Sequence, residues 1–239
     1  MSPEEFSREA GLAFHDPQLL YRALTHSSYI NEHPDIPEDN ERLEYLGDAA
    51  LDFLTAAFLF RRYPEMDEGQ LTRLRSALVR TEQLAQFALE LKLGEAVLLG
   101  RGEEASGGRQ REAMLCDAFE AMIGALYLDA GLQAVIAFLE PRLKAAVESA
   151  LEDEELLDPR SLLQIWAQGE LGETPRYQTV DSFGPDHARE FVVEVEVGQK
   201  KAGRGQGRSK QEAAQRAATD ALAAIRGPQR ERGSDGRNA

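Results

Sequence analysis

Apolar residues recur at three- and four-residue intervals through most of the first 150 positions, and that period predicts helices. The pattern is clearest over Glu41–Arg61, Gln70–Leu91, Arg111–Asp129 and Leu132–Ser149. It changes after Asp158-Pro159, a pair that reads as an N-cap followed by proline at the first helical position. From Arg189 to Val197 apolar, largely β-branched residues alternate with polar ones, which predicts a strand. Arg176–Ser182 and Lys200–Gly203 flank it as partners, and Ser209–Ile225 returns to an alanine-rich helix. The expected fold class is an all-α domain followed by a small α+β domain of order α-β-β-β-α. The expected bounds are residues 3–149 and 158–226, with an acidic linker at 150–157 around Glu152-Asp153-Glu154-Glu155. Residues 227–239, GPQRERGSDGRNA, lack apolar periodicity and read as a disordered tail.

Composition supports two packed domains: the 239 residues are 42% hydrophobic and 29% charged. No uninterrupted apolar run approaches the roughly 18 residues of a membrane span. The first thirty residues lack the basic start and apolar stretch of a secretory signal, so a cytoplasmic setting without membrane association is expected. The single cysteine, Cys116, excludes an internal disulfide and a cysteine-based zinc site. A net charge of −15 argues, taken whole, against a polyanionic partner. The charge is uneven, however. Residues 1–157 hold 14 basic and 30 acidic side chains, a net of −16, and residues 158–239 hold 13 and 12, a net of +1. Within the second part, Lys200, Lys201, Arg204, Arg208, Lys210 and Arg216 face one acid, Glu212.

The acidic residues of the first part are patterned. At 100° per residue, Glu41, Glu44 and Asp48 fall within about 60° of one another on one helix face. Asp117 and Glu120 repeat the arrangement at i, i+3 in a stretch that is otherwise apolar. Two like charges about 4 Å apart repel by about 4 kcal/mol at an effective dielectric of 20. A divalent cation relieves that repulsion, and Mg²⁺ favours carboxylate, water and phosphate oxygens. The alternative is a solvated acidic face paired with neighbours such as Arg42, Arg73 or Arg75. Spacing leaves both open. The histidines, His15, His26, His33 and His187, lack H-x-x-x-H spacing, which gives no zinc site. His26 reads as a hydrogen-bonded structural residue, and Cys116, one position off the Asp117 face, as a packed thiol. Arg109 and Arg111, in and beside the loop Gly102–Gln110, fit a phosphate contact or a flexible connector equally well.

The stretch Asn40–Leu51, N-E-R-L-E-Y-L-G-D-A-A-L, resembles the signature helix of bacterial ribonuclease III. Thr25-His26-Ser27-Ser28-Tyr29, Asp67-Glu68-Gly69, G-R-G-E-E-A-S-G-G-R and the Asp117–Ala125 segment resemble that family in its order. With the second domain, the resemblance covers about residues 3–226. It implies a homodimeric, Mg²⁺-dependent endonuclease, with Mn²⁺ able to substitute, that cuts both strands of double-stranded RNA. The products implied are 5′-phosphates with short 3′ overhangs, in processing of rRNA precursors, mRNA and other structured transcripts. It assigns Glu44, Asp117 and Glu120 to the metal, Asp48 and Glu120 to catalysis, and Glu41 and Glu68 to assistance. Tyr45 falls where the family often has a phenylalanine packed into the partner subunit. Two readings of other classes remain: a catalytically silent RNA-binding protein with the same folds, and a metal-dependent phosphohydrolase of small nucleotides.

Residues 158–226 resemble a double-stranded RNA-binding domain, and the stretch G-R-G-Q-G-R-S-K leading into a helix start suits phosphate binding. Glycines there are expected to let backbone approach a phosphate. A-form RNA is recognised mostly by shape, through 2′-hydroxyls and phosphates. The resemblance assigns RNA contacts to Gln164, to His187 in the loop Gly184-Pro185-Asp186-His187, and to Arg208, Ser209 and Lys210. Ile165 and Gln211 depart from polar and lysine positions of the family, and each is expected to remove one contact. Trp166 is expected in the core, since a duplex offers no unstacked base.

Overall fold

A computed structural model describes residues 1–64, 66–151, 158–185 and 189–230, and divides the chain into two compact units, Met1–Ala150 and Leu151–Ala239. Within the first unit the described regular elements are helical: α1 (Pro3–Glu9), α2 (Pro17–Ala23), α3 (Ser27–Ile30), α4 (Glu41–Arg62), α5 (Glu68–Leu78), α6 (Thr81–Glu90), α7 (Leu93–Ala96), α8 (Arg101–Ala105), a 3₁₀ turn (Gly108–Gln110) and α9 (Glu112–Leu151). Asp16 and Asp67 cap α2 and α5 by accepting from backbone N–H groups of the first turn. The core gathers Leu51 and Leu59 of α4, Leu74 and Leu78 of α5, Leu84 of α6, and Leu115, Phe119, Met122 and Ile123 of α9, all but fully buried.

Two boundaries differ from the sequence reading. The single helix expected over Gln70–Leu91 is two, because the chain is extended at Arg80 (φ −67°, ψ 154°), the N-cap of α6. No glycine or proline marks that break. It sets α6 so that Phe87 meets Phe119 of α9, with ring centroids 5.7 Å apart. Conversely α9 runs through 40 residues as one hydrogen-bonded element, with a non-helical break at Gly131 (φ 78°) between the two helices expected there. Among the described residues, α9 is by length and composition long and apolar enough to cross a membrane, with an 18-residue stretch of mean hydropathy 1.7. Asp117, Glu120 and Asp129 interrupt its apolar sequence, so its uninterrupted apolar runs fall well short of 18 residues. The apolar side chains from Met114 to Leu126 are buried in the fold, as in the core helix of a globular unit.

The second unit holds α10 (Pro159–Leu171), β1 (Arg176–Phe183), β2 (Glu190–Val197), β3 (Lys200–Gly207) and α11 (Lys210–Arg230). The sheet is antiparallel in order β1-β2-β3, with Thr179 facing Val193 and Val193 facing Gly205. Asp158 caps α10 through the N–H groups of Arg160 and Ser161. β3 extends four residues past the expected Gly203, and the glycines serve a different purpose from the one expected. A Cβ on Gly203, Gly205 or Gly207 would stand 2.3, 2.3 and 2.8 Å from backbone atoms of Ala217 and Ala213. These glycines admit α11 against the strand and do not form an open phosphate loop. α11 also continues through Gly227 to Arg230, inside the stretch expected as tail. The acidic run 152–155, His187 and residues 231–239 lie outside the described residues.

Candidate functional site

Two glycines bring the carboxylate-bearing helices together. A Cβ on Gly47 of α4 would lie 1.8 Å from the Glu120 carbonyl oxygen of α9, and one on Gly124 would lie 2.2 Å from the Leu43 carbonyl oxygen. The helices therefore meet backbone against backbone, with no room for a side chain at either glycine. Glu44 and Asp48 flank Gly47 on one side of this crossing, and Asp117 and Glu120 precede Gly124 on the other. The start of α4 is itself anchored, since the Asn40 N–H donates to the Thr25 carbonyl at 2.9 Å.

The charges act on one another. Burial and then the Asp48 charge push Glu120 up to about 7; the Cys116 thiol pulls it down in part, and Asp117 and Glu44 add smaller upward effects. Burial, then the charges of Asp117, Glu41, Asp48 and Asp39, raise Glu44. Burial raises Asp117, partly offset by His26. Glu44, Asp117 and Glu120 are half-buried, whereas Asp48 and Glu41 are exposed. Glu68 is exposed at the first position of α5, and no described interaction joins it to the cluster.

The donor set fits a hard divalent cation. Cys116 Sγ and one oxygen each of Asp117 and Glu120 lie within 4.8 Å of one another. Sγ is 3.5 Å from Glu120 Oε1. Cys116 is thus at the edge of the cluster, not merely packed beside it, because residues 116 and 120 share a helix row. Burial and then Glu120 push its thiol far up, so it remains protonated and is no thiolate ligand. That leaves carboxylate oxygens, the ligands Mg²⁺ takes.

His26 caps α3, with Nδ1 accepting from the Ser28 N–H at 3.1 Å and meeting Ser28 Oγ at 2.8 Å. Nδ1 as acceptor leaves the neutral ring's proton on Nε2. Arg109 is committed to the fold: Nη1 donates to the Gly94 and Val97 carbonyls at 3.0 and 2.6 Å, and Nε reaches Glu104 at 2.8 Å. Arg111 pairs with Glu103. Neither guanidinium is free for phosphate. A separate apolar stripe runs along α4, where Tyr45, Phe53 and Phe60 are 80, 62 and 72% exposed. At a 100° step these three, with exposed Ala49, share one face.

In the second unit, Ser209 caps α11, its Oγ accepting from the Glu212 N–H at 3.1 Å. Arg208 and Lys210 are exposed beside it, and Lys210 Nζ stands 5.9 Å over the Phe191 ring. Gln164, Ile165 and Trp166 of α10 are all half-buried, so Trp166 is less enclosed than expected. The glycine pair at the helix crossing and the thiol against Glu120 escaped the sequence reading. The only signal was small residues, Gly47 and Gly124, each within the two acidic segments.

Comparison with known proteins places these features. The family model described as Ribonuclease-III-like matches residues 16–147, and the double-stranded RNA binding motif matches residues 159–225. A Ribonuclease 3 from Roseiflexus sp. (strain RS-1) is 49% identical over 239 residues, 99% of each chain. One from Geobacillus kaustophilus is 46% identical over 224 residues, 93% of this chain and 91% of that one. Among solved structures, a nuclease domain of ribonuclease III from Campylobacter jejuni, described in terms of a region involved in dimer formation, superposes with TM-score 0.55 and 36% identity. It covers 60% of this chain and 96% of that one.

Proposed function

The chain belongs to the ribonuclease III family, and from that footing we propose that it is a divalent-metal-dependent endoribonuclease hydrolysing both strands of double-stranded RNA. The observation that carries the catalytic reading is the gathering of Glu44, Asp48, Asp117 and Glu120 at the Gly47–Gly124 crossing. A catalytically silent relative would have no need of this mutually repelling set, and a nucleotide hydrolase no need of residues 159–225.

In this reading Glu44, Asp117 and Glu120 hold the ion, and Asp48 and Glu120 are the catalytic pair. Bound Mg²⁺ or Mn²⁺ supplies neutralisation of charge on the scissile phosphate and activation of a water molecule. The protein's part is to hold oxygens in place and to manage protons. Glu120, poised near 7, gives up its proton as positive charge enters the cluster. Burial keeps Glu44 and Asp117 from being screened by solvent, which strengthens their pull on a cation. Glu41 adds negative potential at the rim. Glu68, which no described interaction joins to the cluster, is assigned to water or RNA at the rim.

The module spanning 159–225 supplies affinity that a nuclease half of net −16 lacks. Gln164 and His187 are assigned to the minor grooves, and Arg208, Ser209 and Lys210 to phosphates between them. The chain works as a homodimer through the nuclease unit, with Tyr45, Phe53 and Phe60 supplying an apolar face that a second copy covers. The products are 5′-phosphates and short 3′ overhangs from rRNA precursors and other structured transcripts, in the cytoplasm where these occur.

Titration of Mg²⁺ against a long RNA duplex, a single strand and a nucleotide tests the class. Cleavage confined to the duplex and dependent on the ion is expected. Glu120→Gln should lower it by orders of magnitude while duplex binding survives. Near-normal turnover of that variant at saturating Mg²⁺ would remove Glu120 from the metal site.

A further inference from the structure

The outer edge of β3 has no strand partner, because β3 ends the sheet. Its backbone groups are met instead by side chains of α11. The Arg204 N–H donates to Asp220 Oδ2 at 2.9 Å, Arg216 Nη1 donates to the Gln206 carbonyl at 2.6 Å, and the Arg208 N–H donates to Glu212 Oε2 at 2.8 Å. The match is geometric. Residues four apart on a helix rise about 6 Å, and residues two apart on a strand about 6.6 Å. The helix therefore meets alternate strand residues with Glu212, Arg216 and Asp220, and the edge is closed to another strand.

This arrangement also gives the carboxylates along that edge hydrogen-bond partners. Glu212 pairs with Arg216 at 2.7 Å besides taking the Arg208 N–H, and Glu190 is held by the Gln206 side-chain amide. A groove of about 660 Å³ opens there, lined by Glu190, Arg204, Gln206, Arg208, Glu212 and Arg216 with intervening glycines. Arg216 is committed. The guanidiniums of Arg204 and Arg208 form no hydrogen bond or ion pair among the described residues, and both are exposed.

We infer that this groove is a second phosphate-holding site, in which Arg204 and Arg208 clasp the sugar-phosphate backbone of the bound RNA duplex. The inference rests on the RNA-binding reading above and extends it along the strand. A guanidinium presents parallel N–H donors that match two phosphate oxygens, and this favours Arg over Lys at such a site. The two arginines are four strand residues apart, about 13 Å along the backbone, a span over which a polymer backbone offers each guanidinium a phosphate of its own. Continuity points the same way, since Arg208 adjoins Ser209 and Lys210 at the start of α11. A backbone leaving those residues enters the groove, where Arg204, Arg208 and Arg216 outnumber Glu190 and Glu212.

The test is duplex binding by the full chain at several salt concentrations, without divalent ion so that the RNA stays intact. Arg204→Ala is expected to weaken binding about three- to tenfold for any sequence and to reduce the salt slope by nearly one unit. Arg204→Glu should weaken it further, and Arg204→Lys should restore the slope while recovering only part of the affinity. Lys210→Ala is the reference. If it weakens binding while Arg204→Ala and Arg204→Glu change neither affinity nor slope, the groove is overturned and the RNA-binding reading stands. If none of the three changes binding, both fall. Inorganic phosphate at fixed ionic strength should compete equally poorly against wild type and Arg204→Ala. Preferential displacement from wild type would make the occupant a free anion and overturn the polymer backbone.

Discussion

Burial and like charge hold the Glu120 carboxyl up to about 7, against an ordinary value of 4.5. The folded protein thus binds this proton more tightly than the unfolded chain does. Its contribution to stability is fully present below about pH 4.5 and is lost as pH rises through 7. In the absence of divalent ion, Glu120→Gln should melt above wild type at pH 8 and close to it at pH 4.5. Partial exposure discounts the shift to about 1–2 kcal/mol, a few degrees in Tm for a chain of this size. Mg²⁺ should raise the wild-type melting temperature more than the variant's. A variant that melts below wild type at pH 8 would show that the carboxylate is not under repulsion. Thr55 is another residue held at a cost: its hydroxyl is fully buried on α4 without a hydrogen-bond partner among the described residues. Thr55→Val keeps the shape and removes the unsatisfied group, so the unfolding free energy should rise by about 1 kcal/mol, read as a higher urea midpoint with the slope unchanged.

At the scale of elements, function depends on how closely α4 and α9 approach. The contact at Gly47 is with carbonyl and nitrogen atoms of a helix backbone, which cannot swing aside as a side-chain end can. Gly47→Ala should therefore separate the helices, cost about 3 kcal/mol or more, and abolish cleavage while leaving duplex binding by the second unit intact. Gly102→Ala is the matched control. Nothing stands within 4 Å of its Cβ and it lies in a helix, so that change should be neutral or slightly stabilising, by less than about 1 kcal/mol. Thermal melts and a cleavage assay on both variants suffice. Loss of activity in Gly102→Ala, or its retention in Gly47→Ala, would refute the role given to the crossing. The β3–α11 pair follows the same rule, with three glycines on the strand facing alanines on the helix.

For the whole molecule, the division at Ala150 separates a unit that holds the acidic cluster from one that holds the basic groove. A fragment of residues 1–150 has its own core and exceeds the size at which a domain folds unaided. It should be helical by circular dichroism and dimeric by sedimentation, the dimer resting on the exposed face of Tyr45, Phe53 and Phe60. Cleavage of duplex RNA should be weak and best at low salt, because the fragment lacks the double-stranded RNA binding motif and the phosphate contacts proposed for it. A monomeric or unfolded fragment would mean that the second unit contributes to the core or the interface.

Local pattern and short motifs determined much about this protein. The 3.6-residue period marked α4 and both parts of α9, the alternation of Glu190–Val197 marked β2, and the order of acidic and glycine-rich motifs pointed to the ribonuclease III family. Such features are encoded in near neighbours, which share a helix face or a strand side whatever the rest of the chain does. Tertiary structure decided the rest. The break at Arg80 carries no breaker residue, and beyond it Phe87 packs on Phe119, a contact between distant parts of the chain. The strand over residues 203–207 looked like a loop because its glycines matter only against α11. Whether Glu44 and Asp117 form one site or two solvated faces depended on a contact between residues 77 positions apart, Gly47 and Gly124. Periodicity reports the direction in which a side chain leaves its own helix. It carries no information on which helix lies opposite, and that is set by the packing of the whole core.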